Sequence, residues 1–196
     1  GLGGVYVEVI KDLSQRLKDT NIKIMVLIET ALGVEQAYEI LSSDESVLGL
    51  MLGGEDLCVD LNCVRTKAAH EIFYARTRLV NSAKALKKFI IDTPFTDTLD
   101  EEGLYTDSKF AKSLGFDGKA AINPRQIVTI NNVFSPTLEE VRHARRIIDA
   151  KNDALKQGLG VFSLDGKMVD LPIIKRAENL LRSEEHTSEL QSLRHL

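Results

Sequence analysis

Val47-Leu-Gly-Leu-Met-Leu52, closing through Gly53-Gly54 on Glu55-Asp56, is the stretch from which the fold can be read. Two more runs repeat its plan: Ile22-Lys-Ile-Met-Val-Leu-Ile28 ends on Glu29, and Lys88-Phe-Ile-Ile91 ends on Asp92. A fourth, Gly118-Lys-Ala-Ala-Ile122, ends on Asn123-Pro124-Arg125-Gln126. Short apolar runs bounded by Gly and Pro predict buried strands. Helix-like stretches lie between them, and strand alternating with helix predicts βαβ units in a parallel sheet. Ligands of such sheets sit at the carboxyl ends of the strands. The three carboxylate-bearing ends are therefore expected to converge on one rim, where an oxygen-preferring cation would bind. Four parallel strands make either a small open sheet or half of an eight-stranded barrel, and periodicity alone does not choose between them.

Working outward, Val5 to Lys18 has helical spacing, with Val5, Val9, Leu13 and Leu17 on one face. Gly33 to Ser42 predicts a helix with Val34, Ala37, Tyr38 and Leu41 inward. Leu57 to Ala69 reads as a polar connection, and His70 to Leu86 as a helix with Ile72, Ala75, Leu79 and Ala83 near one stripe. Asp100 to Leu114 predicts a further helix, stopped by Gly115. Pro124 suits the first turn of the next one. After a break at Ser135-Pro-Thr137, Thr137-Leu-Glu-Glu140 is a capping box opening a long helix to about Gln157, ended by Gly158-Leu-Gly160. Val161 to Leu164 is extended, Asp165-Gly166 is a turn, and a last helix starts near Leu171-Pro172.

The 196 residues are 43% hydrophobic and 28% charged, enough for one packed core, with no window apolar enough to span a membrane. A net charge of −4 carries no nucleic-acid footprint. The two cysteines, Cys58 and Cys63, lack the further ligands that structural zinc needs and read as free thiols of a reducing, cytoplasmic compartment. No signal peptide is visible, and a beginning inside Gly1-Leu-Gly-Gly-Val5 suggests that the true N-terminus is missing. Arg182-Ser-Glu-Glu-His-Thr-Ser-Glu-Leu-Gln-Ser192 resembles the in-frame translation of a common DNA-sequencing adapter, so residues 182–196 are set aside from fold reasoning. The alternative is a polar extension of the last helix. The expected division is 1–134 for the strand-and-helix part, 135–181 for a helical extension, and 182–196 for the adapter-like tail.

Several motifs occur in one order: Leu27-Ile-Glu-Thr-Ala-Leu-Gly33, Gly53-Gly-Glu-Asp-Leu57, Tyr74-Ala-Arg76, Asp92-Thr-Pro94 and Leu114-Gly-Phe-Asp-Gly-Lys-Ala-Ala-Ile-Asn-Pro-Arg-Gln-Ile127. Together they resemble the citrate lyase β-subunit family, within the wider group of HpcH/HpaI aldolases and malyl-CoA lyases. Gly158-Leu-Gly-Val-Phe-Ser-Leu-Asp-Gly-Lys-Met-Val-Asp170 looks like the citrate lyase β branch in particular. The likeness covers Ile22 to Leu181. It implies an α/β fold, the C-terminal half of a (β/α)8 TIM-type barrel of about four βα units, followed by a C-terminal helical extension. The family's first strands carry an acidic strand end and a substrate-clamping arginine, and neither is found here.

The resemblance also implies an activity: magnesium-dependent cleavage of a citryl thioester, carried by an acyl carrier protein or coenzyme A, to an acetyl thioester and oxaloacetate. A malyl- or citramalyl-CoA lyase, or an inactive truncated piece of such an enzyme, is the alternative. A homo-oligomer and further citrate lyase subunits are the implied partners. Glu29 and Asp56 stand where the family places its Mg²⁺ ligands, and a Mg²⁺ site typically takes one or two carboxylates and leaves room for water and substrate. The competing reading is that each acid caps the following helix. Gly53 and Gly54 are expected to bring backbone N–H groups close to a substrate carboxylate, with Glu55 beside them contributing its backbone. The family typically has Gly-Ala before Glu-Asp, so Gly54 departs from the pattern. Asp170 matches an aspartate that in related acyl-CoA lyases reaches over a neighbouring subunit's active site, and the resemblance makes it the proton donor to the acetyl carbanion. It also suits the N-cap of the last helix. Arg76 and Arg78 read as solvated helical arginines or as acyl-thioester contacts. Arg125 suits a carrier phosphate or a structural pair. His70 and His143 have no partner histidine at ligand spacing.

Overall fold

The computed structural model describes residues 7–156 and 161–193. Val5, Gly158-Leu-Gly160 and His195 lie outside them. The chain divides into two compact units, 1–134 and 135–196.

In the first unit, strands β1 (Ile24–Ile28), β2 (Val47–Leu52), β3 (Phe89–Asp92) and β4 (Gly118–Lys119) form one parallel sheet in the order β1-β2-β3-β4. The register aligns Leu27, Met51, Ile91 and Gly118 across it. Each strand pairs with the next in sequence, without the reversal of order that marks a doubly wound sheet. The intervening helices are α1 (Val7–Leu17), α2 (Ala31–Glu35), α3 (Ala37–Ser42), α4 (Gly54–Asp60), α5 (Phe73–Ala85, entered through a 3₁₀ turn at His70–Ile72), α6 (Glu101–Leu114) and α7 (Gln126–Phe134).

Alternation along the strands sorts the side chains onto two faces. Ile24, Val26, Ile28, Leu50, Leu52 and Ile90 are buried in one core with Ile40 and Leu41 of α3 and Leu79 and Ala83 of α5. Ile40 and Leu41 are completely covered, each contributing about 1.5–3 kcal/mol by burial. The opposite face is apolar too, yet Met25 and Phe89 are 41% and 52% exposed there.

Several expectations are corrected. Val9 and Leu13 of α1 are exposed, while Ile10 is buried, Leu17 packs on the core and Ser14 accepts a hydrogen bond from Ser46. The inward face of α1 thus follows 10, 14 and 17, because it docks through a serine pair as well as through apolar contacts. The 33–42 helix is two helices that share Gln36 as C-cap and N-cap, and it starts earlier, with Thr30 capping through Gly33 N–H. Val34, Ala37 and Leu41 are buried as expected, Ile40 completes their face, and Tyr38 is exposed. Leu57 to Asp60 belongs to α4 rather than to a polar connection, and Leu57 and Cys58 are core residues. The His70 helix has its expected stripe, Ile72, Ala75, Leu79 and Ala83, all buried. Strand β4 is only two residues long, because Ala120 to Ile122 turn away as a loop held by Gln126. Gly115, at φ +104°, ends α6 in the left-handed conformation that a Cβ disfavours.

The second unit holds α8 (Leu138–Lys156), a hairpin of β5 (Phe162–Leu164) and β6 (Lys167–Val169), and α9 (Leu171–Leu193). The capping box is formed: Thr137 Oγ1 accepts from Glu140 N–H at 3.1 Å, and Glu140 Oε2 accepts from Thr137 N–H at 2.8 Å. Asp165 and Gly166, both at positive φ, make the two-residue turn that twisted strands prefer. Ala144, Ile147, Val169, Ile174 and Ala177 form this unit's own core. Helix α9 continues across Arg182 without a break.

Candidate active site

The carboxyl ends of β1, β2 and β3 and the loop after β4 surround a cavity of about 440 Å³. Glu29, Gly53, Gly54, Glu55 and Asp56 line it together with Leu27, Met51, Thr93, Pro94 and Ala120 to Ile122. A larger hollow of about 610 Å³, lined in part by Lys67, Phe95, Asp107 and Phe110, contains none of the expected site residues.

Neither Glu29 nor Asp56 is a helix cap. Thr30 caps α2, and Gly53 stands at the N-cap of α4 with Asp56 in its first turn. Among the described residues neither carboxylate meets a hydrogen-bond donor or an ion-pair partner. Glu55 instead leans toward Arg65, its Oε1 lying 3.6 Å from Nε. No basic side chain lines the cavity among the described residues. Two unpaired carboxylates facing one hollow, with no cation beside them, are a donor set that fits a hard divalent ion. No three His, Cys, Asp or Glu side chains converge for a metal among the described residues, so the rest of a coordination shell would be water and substrate, as Mg²⁺ prefers.

Both glycines are sites of close approach. A Cβ on Gly53 would stand 2.9 Å from Glu29 Cβ, and one on Gly54 would stand 2.8 Å from Thr93 Oγ1. Their amides are engaged: Gly53 N–H donates to Ile28 C=O at 2.8 Å and Gly54 N–H to Thr93 Oγ1 at 2.9 Å. With glycine at the N-cap, no side chain caps the first turn of α4. The amides open to an anion are thus those of Glu55 and Asp56, one step along from the expected pair.

The third acidic strand end behaves differently. Asp92 is fully buried and lines no part of the cavity. Arg76, fully buried as well, donates from Nε to Asp92 Oδ1 at 3.0 Å and from Nη2 to Asp92 Oδ2 and Asp107 Oδ1, both at 2.8 Å. Lys119 Nζ donates to Asp92 Oδ2 and Asp107 Oδ2, both at 2.6 Å, and to Thr93 C=O at 2.7 Å. Two cations and two anions close a neutral buried cluster. Burial opposes the charge of Arg76, but Asp92 and Asp107 outweigh it and raise its pKa above the ordinary value. Burial likewise opposes ionisation of Asp107, and Lys119 and Arg76 outweigh it, holding that carboxyl below its usual range. Arg76 is therefore not a solvated arginine: its guanidinium turns inward under α5 because Asp92 waits at the strand end. The sequence signal, Arg76 on a helix before the acidic end of the next strand, was present but not distinctive.

Arg78 reaches back to Glu35 C=O at 3.1 Å, and Arg125 is exposed. Gln126, 2% exposed, was also missed. Its Oε1 accepts from Ile122 N–H at 3.0 Å and its Nε2 donates to Phe95 C=O at 2.8 Å, tying the loop after β4 to the loop after β3. In the second unit Asp170 caps α9, accepting from Ile173 N–H at 3.3 Å. Both cysteines are free thiols, Cys58 buried and Cys63 exposed.

Residues 6–124 match the family described as HpcH/HpaI aldolase/citrate lyase. The citrate lyase subunit beta of Leuconostoc mesenteroides subsp. cremoris is 40% identical over 158 residues, 81% of this chain and 52% of that protein. The mitochondrial citramalyl-CoA lyase of Rattus norvegicus is 32% identical over 177 residues, 86% of this chain and 52% of that protein. The chain thus spans about half the length of the curated relatives it matches. Among solved structures, the CitE protein of Mycobacterium tuberculosis in complex with magnesium, acetoacetate and coenzyme A superposes with a TM-score of 0.73 at 28% identity, covering 93% of this chain and 76% of that one. The citrate lyase beta subunit of M. tuberculosis complexed with oxaloacetate and magnesium gives a TM-score of 0.57 at 26% identity, covering 68% of this chain and 59% of that one.

Proposed function

The chain belongs to the HpcH/HpaI aldolase/citrate lyase family, and from that premise we propose that it is part of a magnesium-dependent carbon–carbon lyase. Its substrate in this reading is a citryl thioester on an acyl carrier protein or coenzyme A, and its products are an acetyl thioester and oxaloacetate. The observation that carries the reading is the cavity at the strand ends, where Glu29 and Asp56 stand together without a competing cation. The magnesium and oxaloacetate held by the M. tuberculosis beta subunit support the choice of ion and keto acid.

In this reading Glu29 and Asp56 hold the ion. Magnesium bound there would supply Lewis-acid chemistry, lowering the pKa of the substrate hydroxyl. The Glu55 and Asp56 amides at the start of α4 orient a substrate carboxylate, with Gly53 and Gly54 leaving the space for it. Leu27, Met51, Pro94 and Ile122 give the cavity an apolar lining that limits access of water to the reacting carbons. Asp170 is proposed as the proton donor to the acetyl enolate, acting on the site of a neighbouring copy. It has to leave its cap on α9 to do so, a single hydrogen bond of 3.3 Å. The four sequential strands are proposed as half of a (β/α)8 barrel, 135–181 as its helical extension, and 182–196 as foreign to it. Other citrate lyase subunits are the proposed partners and the cytoplasm the proposed location. Among the described residues no helix is long and apolar enough to cross a membrane.

The 32% identity to a citramalyl-CoA lyase supports a second reading, in which the acyl group is citramalyl and the carrier is coenzyme A. kcat/KM on carrier-bound citryl and CoA-bound citramalyl substrates separates the two. For either, Asp56→Asn is expected to keep the far-UV spectrum and to abolish Mn²⁺ binding by this chain. The matching substitution in a full-length homologue is expected to abolish metal-dependent turnover. Unchanged kcat at saturating Mg²⁺ would remove Asp56 from the metal site. The chain alone is expected to lack turnover, since the remaining strands of the proposed barrel are needed to complete the pocket.

A further inference from the structure

We propose that Thr93 is a positioning residue that transmits the placement of the buried ion cluster to the segment bearing Asp56. The inference rests on the metal-site reading for its consequence, though not for its geometry. Thr93 follows Asp92 directly, is fully buried, and joins two structures through two different atoms. Its carbonyl accepts from Lys119 Nζ at 2.7 Å, and its Oγ1 accepts from Gly54 N–H at 2.9 Å. Lys119 is itself fixed by Asp92 and Asp107, and these by Arg76. An uninterrupted series of hydrogen bonds therefore runs from α5 and α6, through the end of β3, to the first residue of α4.

The contact at Gly54 is tight as well as polar. The Thr93 side chain stands 2.8 to 3.2 Å from where a Cβ on Gly54 would lie, so only glycine lets α4 approach Thr93 this closely. The far end of the same helix is pinned too, since Asp60 Oδ2 accepts from Ala31 N–H at 2.7 Å. Ala31 lies two residues after Glu29. Helix α4 is thus held at its start to β3 and at its end to the turn that carries Glu29, which sets the separation of the two candidate metal ligands. The Arg76 cluster lines no part of the 440 Å³ cavity. One path of its influence on the site passes through Thr93, beside the covalent step from Lys119 to Ala120.

Thr93→Val removes the acceptor and keeps the shape, whereas Thr93→Ser keeps the acceptor. Hydrogen exchange on the 196-residue chain is the first readout. Thr93→Val is expected to speed exchange of the hydrogen-bonded Gly54 and Leu57 amides by about tenfold or more, the scale of one lost buried hydrogen bond, with β2 and α5 unchanged. Thr93→Ser is expected to stay within about threefold of the parent. The second readout is Mn²⁺ affinity by electron paramagnetic resonance, expected to weaken about tenfold in the valine variant and to recover with serine. Unchanged exchange in the valine variant, or equal impairment by valine and serine, overturns the proposal, because packing rather than the hydroxyl would then hold α4. Exchange that rises everywhere also overturns it, since Thr93 would then be a general stability residue. A parent chain that binds no Mn²⁺ sinks the metal-site reading, while the exchange data still decide the role of Thr93.

Discussion

The guanidinium of Arg76 and the carboxylate of Asp92 meet in a two-bond fork of 3.0 and 2.8 Å, with neither side chain exposed at all. Such a pair is costly to desolvate and costlier to break. Arg76→Met is expected to destabilise the fold by about 3–5 kcal/mol, because it leaves Asp92 and Asp107 sharing one cation. Arg76→Lys does not rescue it, since an ammonium lacks the planar fork. Urea denaturation measures both, and a loss below about 1 kcal/mol for the methionine variant would contradict the cluster's role.

Gly53 stands so close to Glu29 that a methyl group has no place there. Gly53→Ala is expected to push the Glu29 side chain out of line and weaken Mn²⁺ binding about tenfold, at a stability cost of about 1–3 kcal/mol from overpacking. Calorimetric titration with Mn²⁺ checks it, and undiminished affinity would exclude Glu29 as a ligand.

Two carboxyls, Asp107 buried and Glu71 partly covered, give stability a defined acid limit. Asp107 is held below its usual pKa against burial by Lys119 and Arg76. Glu71 is lowered to about 2 against burial by hydrogen bonds from Thr66 and Arg65. A depressed folded-state pKa makes the unfolded chain bind more protons, so stability falls as pH falls. The contribution of Glu71 is fully present above its unfolded value of 4.5 and is lost progressively toward pH 2. Thermal melts between pH 7 and pH 2 are expected to hold level down to about pH 5 and then drop. Glu71→Gln should flatten that drop.

The cysteines are expected to differ in reactivity. Burial and the neighbouring Cys63 push the Cys58 thiol up to about 11, so it carries little thiolate at neutral pH. Cys63 is exposed. A disulfide dye at pH 8 should label one thiol of the native chain quickly and the second only on unfolding. Two fast thiols would show that α4 is not packed as described.

Gln126→Leu should detach the loop after β4. It strips the acceptor from the Ile122 amide and the donor from the Phe95 carbonyl, for a cost of about 2 kcal/mol or more. Faster exchange at Ile122 and Asn123, with α5 unaffected, is the expected signature.

Strand positions were legible because their apolar runs are short and bounded, and the β2 limits, Val47 and Leu52, follow from the sequence directly. The capping box at Thr137 and the stop at Gly115 were legible for the same local reason. What pattern reading could not supply was long-range pairing. Arg76, Asp92, Asp107 and Lys119 are far apart in sequence, and nothing local shows that the strand-end acid Asp92 pairs with the other three until the sheet brings them together. Helical spacing alone did not decide between the neighbouring positions 38 and 40: Ile40 is buried and Tyr38 exposed. For the candidate site, Glu29 and Asp56 came from motif resemblance, and the structure adds that they share one cavity. Thr93 and Gln126 lie within family-like motifs, but no local pattern marks their roles, since their partners include backbone groups of other loops.

Lys119 has one more consequence. An aldolase-type cleavage can draw electrons through an iminium formed on a lysine, or through an electrophile that polarises the carbonyl from outside. All three protons of the Lys119 ammonium are committed, to Asp92, Asp107 and the Thr93 carbonyl, and its side chain is fully covered. No lysine, Lys119 included, lines the cavity among the described residues. The amine at the end of β4 is built into the architecture as a counter-charge, held as an ammonium between two carboxylates rather than offered to the cavity.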